Sequence, residues 1–105
     1  MIIKYDLEVY KEAIVKNIER ITNQIFKLLP SREEGQDWVS PLENLVIEIG
    51  GMSSLLEEHD ILFSLLCKLE GLKTLTKEED FPLFRKNIFE CLGLINSLKE
   101  AFKNE

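Results

Sequence analysis

Histidine is scarce in this sequence, and its scarcity removes most metal chemistry. The chain has one histidine, His59. A zinc helix of the His-Glu-x-x-His type and the paired Glu-x-x-His motifs of di-iron bundles both need two. We interpret His59, which stands among Glu57, Glu58 and Asp60, as part of a solvated helix end. The sequence therefore predicts no metal ion, no cofactor and no catalytic residue.

Cysteine is also scarce, because Cys67 and Cys91 are the only two in the chain. Two cysteines are too few for a disulfide framework. Folding the last two helices back on each other about Thr76 separates the two thiols by roughly 10 Å along the helices, which is beyond disulfide reach. We therefore expect two free thiols packed in the core.

Long apolar runs and clusters of basic residues are both missing. The longest apolar runs are only a few residues, and the first six residues have no apolar signal region behind them. Aspartate and glutamate number 19 against 13 lysines and arginines, and the formal net charge is -6. Nucleic acids and anionic membranes attract clustered positive charge instead. We expect a cytoplasmic protein that binds neither, and a basic protein surface is the partner that matches its charge.

The residues that are present are those of an ordinary globular domain. The chain has 105 residues, of which 45% are hydrophobic and 30% are charged. This length supports one hydrophobic core and leaves no room for a linker. We predict a single helical domain over residues 1–105.

The clearest helix runs from Tyr5 to Leu29. We expect Pro30 to end it, because a proline inside a helix removes a backbone hydrogen bond. Apolar residues recur along this segment at spacings of three and four, which predicts one buried helix face: Leu7, Tyr10, Ile14, Ile18, Ile21, Ile25 and Leu28.

The second helix has a clear beginning. Residues 31–39 are mostly polar, contain a glycine and show no periodicity, so we expect a loop there. Ser40 then provides a cap, Pro41 suits the first helical position, and Glu43 completes a capping box.

The end of the second helix is left open between two alternatives. Gly50 and Gly51 together weaken a helix by about 2 kcal/mol relative to alanines. The helix therefore either stops at these glycines, with Ser54 and Glu57 capping the next one, or runs through them to Glu58. A regular apolar spacing across the glycines favours the second alternative: Leu42, Leu45, Ile49, Met52 and Leu56.

The third helix, from Ile61 to Glu70, is apolar around most of its circumference. We expect it to be the most buried helix or one that contacts a partner. Gly71 is well placed to cap its end.

The last helix must begin near Asp80, because Pro82 is tolerated only in a first turn. Thr76 and Glu79 are candidates to cap a single turn before it. One face of this helix is apolar: Phe84, Ile88, Cys91, Leu92, Ile95, Leu98 and Phe102. Four such segments joined by short connections predict an all-α fold, a compact up-down bundle of four helices.

Charge is unevenly distributed along the chain. From Arg32 to Asp60, Arg32 is the one lysine or arginine among eight acidic residues. Trp38, the only tryptophan, lies in the same stretch, and an aromatic residue beside charges is typical of interface anchors. We therefore select a candidate partner-binding site: Glu33, Glu34, Asp37 and Trp38.

The acidic residues and Trp38 of this site are expected to differ in their effect on the stability of the fold. Exposed loop charges contribute little to stability, so we expect replacement of the three acidic residues to leave it nearly unchanged. Trp38 has an alternative role, in which it folds over the end of the bundle beside Leu42 or Leu45.

The sequence favours a non-enzymatic protein-protein interaction module, such as a small regulatory, inhibitory or accessory subunit, whose acidic loop meets a basic surface. The alternative is a self-associating structural subunit, a homodimer that uses the apolar helix from Ile61 to Leu72 as its seam.

A metal-dependent hydrolase with carboxylate ligands is the least favoured hypothesis. Glu57-x-x-Asp60 resembles one half of the paired acidic motifs, Glu-x-x-Glu and Glu-x-x-Asp, with which nucleotide pyrophosphohydrolases of the MazG type hold magnesium. The Glu-x-x-Glu half is missing at the matching distance. Surface solvation therefore accounts better for these acidic residues.

Overall fold

A computed structural model describes residues 3–53 and 60–103 of the chain, with side chains for residues 11–52 and 60–101. Each of its four α-helices packs beside the next, and the last packs against the first, so they form a closed ring. This confirms the predicted all-α bundle of four helices. The helices are α1 (Ile3–Glu33), α2 (Val39–Ser53), α3 (Asp60–Leu72) and α4 (Phe81–Lys103), with a single 3-10 turn (Glu78–Asp80) before α4. None of the helices in the described ranges is long and apolar enough to cross a membrane.

The core takes one apolar stripe from each helix. The predicted stripes of the first and last helices are buried wherever their side chains are described, except that Leu92 is half-buried. Leu7, Tyr10 and Phe102 lie outside the described side chains. No polar or charged side chain is buried among those described, so hydrophobic burial holds the bundle together, at about 1.5 to 3 kcal/mol per large side chain.

α1 continues past Pro30, so the prediction that this proline ends the helix is wrong. The chain leaves the helix at Gly35, whose φ of 73° is the left-handed conformation that glycine adopts without strain. Gln36 N–H donates to the carbonyl of Ser31 at 2.8 Å and Gly35 N–H to that of Arg32 at 3.1 Å, which is the Schellman arrangement. Pro30 costs the helix one backbone hydrogen bond. The closure at Gly35 provides hydrogen bonds to two carbonyls beyond Pro30, those of Ser31 and Arg32, so the helix continues through the proline.

α2 runs through Gly50 and Gly51 to Ser53. The continuous helix, which the apolar spacing favoured, is therefore observed as far as the described residues extend. The predicted features at Ser54, Leu56, Glu57, Glu58 and His59 lie outside the described residues.

α3 also continues through its expected cap, Gly71, and ends at Leu72. Gly71 has no positive φ, so the prediction of a glycine cap is wrong. The helix is finished instead by tight turns, in which Thr74 N–H donates to the carbonyl of Gly71 at 3.2 Å and Leu75 N–H to that of Leu72 at 3.1 Å. Turns of this 3-10 type need no left-handed residue.

The single turn predicted before the last helix is present, but its caps are different residues. The carboxylate of Asp80 accepts a hydrogen bond from Lys77 N–H at 3.3 Å, and Asp80 N–H donates to the carbonyl of Lys77 at 3.0 Å. Thr76 and Glu79 are therefore not the capping pair. α4 then begins at Phe81, next to the predicted start.

α3 is not the helix buried on all sides that its composition suggested. It buries one stripe of leucines, whereas the side chain of Phe63 on the opposite side is 67% exposed. Its surplus of apolar residues therefore lies on the surface of the bundle. Contact with a partner stays a hypothesis for this face.

The two cysteines are free thiols in different environments, because Cys91 is buried and Cys67 is exposed. Core packing is thus the correct interpretation for Cys91 and the wrong one for Cys67. An ion pair between Lys68 and Glu90, with 2.6 Å between Nζ and Oε1, links α3 to α4 beside Cys91.

The cysteines lead to a prediction about reactivity. Burial raises the pKa of the Cys91 thiol to about 12, so almost no thiolate forms there at neutral pH. Titration of the native protein with a thiol reagent should modify Cys67 rapidly and Cys91 only as the bundle unfolds. Cys67→Ser should remove the fast phase and Cys91→Ser the slow one. Two equally fast phases in the native protein would contradict the packing of α4.

Candidate functional site

All four residues of the predicted site lie at one end of the bundle, where the chain passes from α1 to α2. Glu33 is the last residue of α1, Glu34 and Asp37 lie in the connecting segment, and Trp38 directly precedes α2. The three acidic side chains are exposed, whereas Trp38 is half-buried. The site is therefore a continuous surface with one residue that also packs inward.

Trp38 covers the end of the hydrophobic core. Its ring lies edge-to-face against Phe84, with 4.9 Å between the centroids and 73° between the planes, and Phe84 is fully buried. Phe81 also stacks against Phe84, with 6.3 Å between the ring centroids. Aromatic pairs of this kind contribute about 0.5 to 1.5 kcal/mol beyond their buried area. The tryptophan thus folds over the bundle end, and its ring partner belongs to α4.

The guanidinium group of Arg32 lies over the same aromatic rings. Its central carbon is 4.4 Å from the ring centroid of Phe84, 5.2 Å from that of Trp38 and 5.7 Å from that of Phe81. All three distances fall within the range of cation–π attraction. Arg32 was counted in the sequence only as a charge, yet it packs at the centre of this end.

Arg32 also donates hydrogen bonds to two backbone carbonyls in the connection between α3 and α4. Nη2 donates to the carbonyl of Lys77 at 2.6 Å, and Nη1 donates to the carbonyl of Leu75. These bonds join the end of α1 to a segment more than 40 residues away in sequence. The positive charge is therefore directed into the fold.

Asp37 holds the beginning of α2. Its carboxylate accepts hydrogen bonds from the backbone N–H groups of Val39 at 3.1 Å and Ser40 at 3.2 Å. Hydrogen bonding from the Ser40 side chain, then from the Ser40 and Val39 backbones, lowers the pKa of Asp37 below its usual 3.8. This cap is therefore fully present above about pH 4 and is lost as the pH falls through the lowered value.

This arrangement corrects two expectations. Ser40 lies inside the first turn of α2 and donates to Asp37, so the predicted capping box of Ser40 and Glu43 is wrong. The cap comes from the residue that can reach the first free N–H groups from outside the helix. Asp37 consequently supports the fold as well as the surface, in contrast to the expectation for a loop charge.

A second acidic segment, which the sequence reasoning did not include, reaches the same end. Glu78, in the turn before α4, lines the same open groove of about 520 Å³ as Glu33. We call this feature the acidic groove. Its lining combines two carboxylates from distant segments with aromatic rings: Arg32, Glu33, Trp38, Thr76, Glu78 and Phe81.

The acidic groove and its rim carry a strong excess of negative charge. Segments 32–38 and 77–81 contain six carboxylates and two basic residues, so their formal charge is 2 − 6 = −4 out of −6 for the whole chain. Four of these carboxylates make no ion pair within the part of the chain that the structure describes: Glu33, Glu34, Glu78 and Glu79. Among all the residues that the structure describes, no group of three or more histidine, cysteine, aspartate or glutamate side chains could hold a metal ion.

No protein-family model, no curated protein and no solved structure matches this chain. The candidate site is therefore defined by its own geometry. Its lining places Glu33 and Glu78 beside two half-buried aromatic residues and Arg32, and the two carboxylates suit an organic cation.

Packing of Trp38 against Phe84 leads to a prediction about stability. Trp38→Ala should cost about 2 kcal/mol and lower the melting temperature by roughly 10 °C, because it uncovers the end of the core. Phe26→Ala is the matched control, since its ring is 52% exposed and its loss should change stability by less than about 0.5 kcal/mol. Equal melting temperatures for the two variants would show that Trp38 does not cover the core.

Proposed function

We propose that this protein is a non-enzymatic protein-interaction module, a small regulatory, inhibitory or accessory subunit that binds a basic segment of another protein in the acidic groove. One observation carries the proposal. Two acidic segments that are far apart in sequence converge on a groove with exposed aromatic edges. Aromatic residues in a polar rim are characteristic of protein interfaces.

The groove offers a lysine or arginine side chain two kinds of contact. The apolar stem of such a side chain can lie along the rings of Trp38 and Phe81, as long basic side chains do on apolar surfaces. Its charged end then reaches the carboxylates of Glu33 and Glu78. The two rings thus contact the apolar stem of the basic side chain, and the two carboxylates contact its charged end.

The surrounding carboxylates extend the attraction beyond contact distance. Glu34 and Glu79 lie next in sequence to the two groove carboxylates and add negative charge at the rim. Such charges accelerate encounter with an oppositely charged partner more than they strengthen the final complex. Arg32 also lines the groove, where its guanidinium is held by the backbone carbonyls of Leu75 and Lys77.

The same charge distribution supports the remaining parts of the proposal. A chain with a net charge of -6 has little to offer nucleic acid or an anionic membrane, so the partner is a protein. The two free thiols support a site of action in the reducing cytoplasm.

The proposal predicts how binding of a lysine- and arginine-rich peptide responds to charge removal. Glu33→Gln combined with Glu78→Gln should weaken binding at least tenfold, because both direct carboxylate contacts are lost. The melting temperature should barely change, since neither side chain makes an ion pair among the described residues. Asp37 is left intact because it caps α2.

The matched control removes the same charge elsewhere. Glu12→Gln with Glu100→Gln lies toward the opposite end of α1 and α4 and should leave peptide binding within about twofold. Isothermal titration at low and physiological salt measures both variants against the same peptide and an acidic peptide of equal length. Equal losses in both double variants would indicate general charge attraction, and no binding at all would refute the groove as a site.

A further inference from the structure

A second cleft lies between α1 and α2, and it shares no lining residue with the acidic groove. Its volume is about 310 Å³. Four of its described lining residues belong to α1 and two belong to α2: Gln24, Lys27, Leu28, Ser31, Pro41 and Asn44. We call this feature the α1–α2 cleft.

The helical repeat explains why these side chains meet in one cleft. Helix positions that are three, four and seven residues apart lie on one face, and the four residues from α1 have this spacing. The two residues from α2 are three apart and likewise share a face. Leu28 is 1% exposed and still lines the cleft, so the cleft reaches the edge of the hydrophobic core.

The polar side chains of the α1–α2 cleft have no hydrogen-bond partner within the described part of the chain. They comprise two amides, one hydroxyl and one ammonium group: Gln24, Asn44, Ser31 and Lys27. Gln24 and Ser31 are half-buried, so water reaches their polar groups only in part. A ligand that supplies the missing partners therefore gains hydrogen bonds that the fold leaves unmade.

The α1–α2 cleft differs from the acidic groove in charge. Among the residues that the structure describes, no carboxylate lines this cleft, and Lys27 makes no ion pair. The two carboxylates of α2 are engaged elsewhere, because Glu43 pairs with Lys73 and Glu48 pairs with Arg20. The cleft is therefore a locally positive site on a chain whose net charge is -6.

We propose that the α1–α2 cleft binds a small organic carboxylate, with its charged end at Lys27 and a short apolar chain against Leu28 and Pro41. A carboxylate accepts hydrogen bonds at about four positions, and the ammonium, amide and hydroxyl groups of the cleft are donors. Hydrogen bonds to a charged acceptor are about twice as strong as neutral ones. The volume lies at the lower end of the range of about 300–1,000 Å³ for ligand pockets, so the ligand has only a few carbon atoms.

The donors of the cleft favour a carboxylate over a phosphate. Phosphate groups are typically held by arginine or by free N–H groups at a helix N-terminus. Arginine is absent from the described lining of the cleft, and the N-terminus of α2 is already capped by Asp37. The one ammonium group of Lys27 matches the single charge of a carboxylate.

Nuclear magnetic resonance of the isotope-labelled chain tests the cleft, with butyrate as the probe. Titration to tens of millimolar, at constant pH and ionic strength, should give saturable shifts in residues 24–31 and 41–44. The side-chain amide signals of Gln24 and Asn44 should shift with the same dissociation constant. Butyramide has the same shape without the charge and should bind about tenfold more weakly or worse.

Two lysine variants show whether the charge acts at the cleft. Lys27→Gln should weaken butyrate binding about tenfold or more. Its melting temperature should not change, because Lys27 makes no ion pair among the described residues. Lys16→Gln is the matched control, since Lys16 is an exposed lysine of α1 outside the cleft, and binding should stay within about twofold. Asn44→Leu should weaken binding about threefold, because it removes one donor.

A capped glutamate and inorganic phosphate complete the comparison. Tighter binding of the capped glutamate than of butyrate would identify a carboxylate side chain of a protein as the source, and weaker binding would identify a free acid. Either result supports a carboxylate site. Preference for phosphate, the absence of saturable shifts, equal binding of butyramide, or equal losses in Lys27→Gln and Lys16→Gln would each overturn the proposal. Glu33→Gln with Glu78→Gln should leave butyrate binding unchanged, so failure of this cleft is distinguishable from failure of the acidic groove.

Discussion

The contacts of Arg32 hold one end of the bundle together. Its guanidinium lies over rings contributed by α4 and by Trp38, and it donates to carbonyls in the connection that follows α3. One side chain thus fixes the last turn of α1 relative to both connecting segments at this end. The acidic groove depends on this arrangement, because Glu33 follows Arg32 directly and Glu78 follows Lys77, whose carbonyl Arg32 binds.

The sequence predicted those features of the fold that follow from apolar spacing. The stripe of α1 from Ile14 to Leu28 is buried, and α2 crosses Gly50 and Gly51 because Ile49 and Met52 keep the stripe continuous. Burial of one large side chain is worth about 1.5 to 3 kcal/mol, which exceeds the cost of a glycine in a helix. Pro30 did not end α1 for a different reason, because the closure at Gly35 provides hydrogen bonds to the carbonyls of Ser31 and Arg32. Predictions that rested on one residue, such as helix ends at Pro30 and Gly71, were wrong because hydrogen bonds farther along the chain end these helices instead.

Contacts between distant segments could not be predicted, because no local pattern connects Arg32 with Leu75 or Glu33 with Glu78. Only the first acidic segment of the groove was identified, since Trp38 stands beside it in the sequence. The difference between the cysteines did have a signal. Cys91 falls in register with Ile88 and Ile95, whereas Cys67 falls outside the leucine stripe of α3.

Amide hydrogen exchange in Arg32→Ala tests most directly whether this side chain organises the groove. The structure predicts faster exchange in residues 34–40 and 74–81, with unchanged protection around Ile18 and Ile95 in the core, because only the contacts of Arg32 are lost. Arg20→Ala is the matched control, since Arg20 makes an exposed ion pair with Glu48 between α1 and α2. Unchanged exchange at the groove, or the same increase throughout the bundle, would contradict the account.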